Sequence, residues 1–149
     1  MADYWDGSSW KPMTMAVEAG KTRDYSLTKA LKNPLNPMAG HAQVVMFEGT
    51  SASITLGQNP RFCFPVTVNS RGEYFIGILT VKKNDREVER FVSDRNSPGG
   101  NLLFPADKSL ATNVKPLSDH FVEVTPKEPI KEGQYVIANG VLMFDFGVK

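Results

Sequence analysis

Cysteine is almost missing from this chain: there is one, Cys63, in 149 residues. A lone thiol excludes an intramolecular disulfide, so nothing covalent staples the fold. It lies in the apolar run Phe62-Cys63-Phe64, where a thiol is packing material rather than a nucleophile. Histidine is scarce too, and His41 and His120 have no Cys or His at ligand spacing. No zinc or other metal site is expected. Neither sign of charge dominates, since 17 Lys and Arg oppose 16 Asp and Glu. That leaves no electrostatic case for nucleic acid or an anionic membrane as partner. No apolar run reaches the roughly 18 residues that suggest a membrane span. The start, MADYWDGSSW, has neither a basic n-region nor an apolar h-region. A cytoplasmic protein is expected as the sequence stands, or an exported one if a leader has been removed.

Catalytic signatures are missing as well. There is no Gly-x-Ser-x-Gly elbow and no phosphate-cradling glycine loop. Asp94-x-Asn96 with Gly99 has its glycine out of calcium-loop register and no closing glutamate. Asp145-Phe146-Gly147 spells a kinase tripeptide without the rest of a kinase, and reads as strand alternation. No catalytic residue, cofactor or metal ligand is assigned, and an enzyme is not expected. Lys82, Lys83, Arg86, Arg90 and Arg95 are interleaved with Glu87, Glu89 and Asp94, a mixture that suits a solvated sheet edge.

What is present is β-strand material. The run from His120 to Lys149 organises it. Phe121–Thr125 alternates and is β-branched, as a strand is. Pro126 and Pro129 end it. Ile130, Gly133 and Tyr135 then have the spacing of a tyrosine corner, where the chain swings between sheets and the Tyr hydroxyl ties back to upstream backbone. Gly133 is expected at positive φ. Two apolar runs follow, joined by Asn139-Gly140, the strongest short hairpin signal. Further strands are expected over residues 41–47, 51–56, 61–68, 73–81, 86–93, 102–104 and 109–114. Glu73–Val81 is apolar on both alternations and should be central, and the charged return strand carrying Arg86 should be an edge. Residues 25–32 could form one short helix with Asp24 as N-cap.

The expected fold is all-β: an immunoglobulin-like Greek-key β-sandwich with an N-terminal hairpin or arm and at most one short helix. One domain is expected, with residues 1–40 as hairpin and extension and 41–149 as core. A chain this long buries about 68–70% of its unfolded surface, enough without staples.

Tyr4, Asp6, Gly7 and Trp10, the stretch Glu73–Phe91, the corner residues, and Phe144-Asp145-Phe146-Gly147 together resemble a group of uncharacterised bacterial β-rich domains. These have an aromatic–Asp–Gly–Trp start and a Leu-x-Pro-Gly-Glu-Tyr-like corner. This chain has Glu132-Gly133-Gln134 where Pro-Gly-Glu is usual. The resemblance implies a β fold and members that are often exported. It implies no activity and transfers no site residue.

The functional expectation is a non-catalytic structural or protein-binding module whose partner is another copy of itself. Tyr4, Trp5, Trp10, Met13 and Met15 form the candidate interaction surface. Two alternatives stand beside it: a carbohydrate-binding module stacking sugar on the N-terminal aromatics, and a small hydrolase with an unrecognised site. Coplanar, solvent-facing tryptophans would favour sugar.

Overall fold

The computed structural model describes residues 2–15, 20–24, 42–66, 74–92, 102–139 and 142–149. Apart from one 3-10 turn at Ala106–Lys108, the regular structure of these residues is β. The strands are β1 (Asp3–Trp5), β2 (Trp10–Pro12), β3 (Gly20–Asp24), β4 (Ala42–Glu48), β5 (Thr55–Leu56), β6 (Phe62–Pro65) and β7 (Tyr74–Lys82). They continue as β8 (Asp85–Val92), β9 (Leu102–Leu103), β10 (Ser109–Leu110), β11 (Thr112–Pro116), β12 (Phe121–Pro126), β13 (Gly133–Asn139) and β14 (Leu142–Val148). A five-stranded sheet runs β11-β12-β6-β1-β2. A nine-stranded sheet runs β3-β4-β8-β7-β13-β14-β5, with β10 also on β7 and β9 on β8. All pairings are antiparallel except β14 with β5.

The larger sheet bends at β7. Residues 74–79 of β7 pair with β13, whereas residues 80–82 pair with β8. In a flat sheet β8 and β14, three strands apart in the order, would be roughly 14 Å from each other. Yet Arg86 on β8 reaches Asp145 on β14 at 2.9 Å. The β8–β4 half therefore folds over β13 and β14, and the layer of β7, β13 and β14 is covered on both faces.

Two cores follow. The first lies between the small sheet and the central layer: Phe62, Phe64 and Val124 meet Tyr74, Ile76, Tyr135, Ile137, Phe144 and Phe146. Tilted ring pairs such as Phe62–Phe146 and Phe64–Tyr74, each at 4.9 Å, interlock the two sides. The second lies on the opposite face, where Val45, Phe47, Val88 and Phe104 meet Leu79, Val136, Ala138 and Met143. Successive residues Tyr135, Val136, Ile137 and Ala138 are all buried because alternate side chains serve alternate cores. Gly77 fits the same scheme. A Cβ there would stand 3.0–3.1 Å from the Phe104 ring, so only glycine lets that ring settle on β7.

Several expectations need correction. β8 is not an edge, since β4 flanks it on one side and β7 and β9 on the other. Arg86 is 2% exposed rather than solvated. Local charge pattern misled because the partner that neutralises Arg86 comes from the last strand. Asp24, the expected helix N-cap, instead ends β3 paired with Gln43. The helix expected over 25–32 lies outside the described residues. Of the strand expected over 51–56, only Thr55 and Leu56 are extended. The turn between β7 and β8 is Lys83-Asn84, with Lys83 at φ 52°, and Asp85 already pairs with Lys82.

At the C-terminal end, the Tyr135 hydroxyl donates to the Lys131 carbonyl at 2.8 Å, and both Tyr135 and Ile130 are buried. Gly133 plays a different part from the one expected. Among the described glycines, positive φ occurs at Gly7 and Gly49, not there. Its missing Cβ would instead press on the Tyr135 ring at 3.3 Å. β13 and β14 pair from Gly133–Val148 to Asn139–Leu142. Asn139 is thus the last paired residue, one place later than expected, and Gly140 lies outside the described residues.

Candidate functional site

The small sheet presents its outer face through the residues that alternate with the core set. β1 sends Tyr4 toward the core and Asp3 and Trp5 outward. β6 buries Phe62 and Phe64 and turns Cys63 outward, and β12 does the same with Val124 and Glu123. Across three strands this sets Asp3, Cys63 and Glu123 in one row. Trp5 and Trp10 sit opposite each other on β1 and β2.

The hairpin that carries the tryptophans is held by Asp6. Its Oδ1 accepts from the Ser8 and Ser9 amides, both at 2.8 Å, and from the Ser8 hydroxyl at 3.0 Å. These bonds hold the Asp6 carboxyl below its ordinary pKa, Ser9 contributing most. Gly7 supplies the positive φ, at 104°, that closes the turn.

The indoles meet edge to face, with centroids 5.3 Å apart and planes at 67°. The Arg61 guanidinium lies 5.0 Å from the Trp5 ring centre and 5.4 Å from that of Trp10. Glu123 fixes it through two bonds, Nε to Oε1 at 2.9 Å and Nη2 to Oε2 at 3.2 Å. The pair shifts both groups in the expected senses. The bond from Arg61 holds the Glu123 carboxyl low, and the bond to Glu123 raises Arg61. Farther along the same face stands Phe121, 45% exposed and opposite Pro65.

This arrangement sorts the candidate surface residues. Trp5 and Trp10 are half-buried on the outer face. Met13 is not a surface residue: at 6% exposure it is part of the first core, its amide bonded to the Ala2 carbonyl at 2.8 Å. Tyr4 and Met15 pack against that core too. Tyr4 faces that core from β1, and Met13 and Met15 reach it just after β2. Arg61, Glu123 and Phe121 were not singled out in the sequence. Arg61 follows the turn residue Pro60, and only strand pairing brings it beside the tryptophans.

Burial pushes the Cys63 thiol pKa up, and Asp3 and Glu123 add to the effect, the wrong direction for a nucleophile. Exposed His120 uses its backbone amide, not its ring, in the bond to Ser118 Oγ at 3.2 Å. Among the described residues no group of three or more His, Cys, Asp or Glu is placed to hold a metal ion. No described helix is long and apolar enough to cross a membrane.

Arg86 and Asp145 form a second polar cluster, behind the central layer. Arg86 Nε donates to the Gly49 carbonyl at 3.0 Å, Nη2 to the Glu48 carbonyl at 3.0 Å, and Nη1 to Gln134 Oε1 at 3.3 Å. Gln134 Oε1 also accepts the Ala52 amide at 2.8 Å. A cleft of about 290 Å³ lies where β7 and β8 part, lined by Thr80, Lys82, Glu87, Glu89, Asp107 and Lys108 among others. In it Lys82 and Glu87 are paired at 2.6 Å.

Set against protein-family models, curated proteins and solved structures, the chain matches none.

Proposed function

We propose that this chain is a non-catalytic β-sandwich module that binds protein, another copy of itself in the first instance, through the outer face of its five-stranded sheet. One observation carries this reading: that face clusters Trp5, Trp10 and Arg61 over β1, β2 and the start of β6, with exposed Phe121 of β12 farther along it. Tryptophan and arginine are the residue types that dominate protein–protein hot spots. The guanidinium is already oriented by Glu123, so little side-chain freedom is lost on contact. An immunoglobulin-like relation between the sheets belongs to the same reading and is supported by the hydroxyl tie of Tyr135.

Sugar binding draws less support. A pyranose stacks on a flat aromatic face, and indoles at 67° do not make a continuous one. The test is sedimentation velocity across the micromolar range, with Phe121→Glu as the variant. Phe121 is 45% exposed, so the charge should leave the melting temperature unchanged. The expected result is an oligomer whose dissociation constant rises at least about tenfold in the variant, equivalent to about 1.4 kcal/mol. A wild-type chain that stays monomeric throughout the range would overturn self-association.

A further inference from the structure

We draw no further inference here: the strongest candidate, the cleft of charged side chains where β7 and β8 part, is a cluster of carboxylates and lysines that no second observation among the described residues turns into a site.

Discussion

Replacing Arg86 by methionine should be among the most damaging single changes available to this fold. The side chain is 3% exposed and ion-paired with Asp145, whose own side chain is 20% exposed. Removing one partner of a buried pair costs about 3–5 kcal/mol, because the other charge is left without compensation. Three features place the expected loss near the lower end. Asp145 keeps some contact with water. The Glu48 and Gly49 carbonyls belong to exposed residues and can turn to solvent. Gln134 Oε1 retains the Ala52 amide. A loss of about 3 kcal/mol is therefore expected. In urea, with a slope of about 1–3 kcal/mol per molar, the midpoint should fall by about 1–3 M with the slope unchanged. The double variant Arg86→Met/Asp145→Leu removes both charges, so its cost should be well below the sum of the two singles. An unmoved midpoint for Arg86→Met, or strict additivity in the double variant, would refute the view that this pair ties the bent sheet to the central layer.

Other outcomes can be checked in the same way. Tyr135→Phe deletes the bond to the Lys131 carbonyl and should cost about 0.5–1.5 kcal/mol; an unchanged denaturation midpoint would remove the corner from the account. Gly77→Ala drives a Cβ into the Phe104 ring and should cost about 1–3 kcal/mol, partly recovered when Phe104→Leu is added. The Arg61–Glu123 pair makes an acid-side prediction. Because the folded Glu123 pKa is depressed, its stabilisation is present above the ordinary carboxylate pKa and is lost as pH falls through the folded value. Trp5 and Trp10 are the only tryptophans, so their fluorescence should change in that acid window. A Glu123→Gln protein showing the same transition would exclude Glu123 as its source.

Much of the architecture was legible because it is written locally. Spacing alone marked Ile130 and Tyr135, and alternation marked Phe121–Thr125, one residue short of the strand's end at Pro126. The double-sided apolar run of β7 announced a buried strand. The bend of the large sheet was not legible. It shows in Arg86 meeting Asp145, two residues far apart in the chain whose neighbours give opposite signals: charge around Arg86, apolar residues around Asp145. Gly133 failed for a related reason. The sequence shows a glycine beside a corner, but not that a tyrosine ring two residues on will lie across it. The tryptophans were visible as a pair, whereas Arg61 beside them and the Glu123 that holds it come from much later in the chain.

The last two strands, β13 and β14, supply walls to both cores at once. During synthesis they leave the ribosome after β1 to β12. Until then β1, β6 and β12 can assemble only a sheet with one face bare, and β4 with β8 another. Both hydrophobic surfaces await the same late hairpin. A chain that stops short of it does not lose one end of a domain; it loses the shared layer that lets either half bury its apolar side chains. Such a product would expose two sticky sheets, the condition in which nascent β-proteins aggregate.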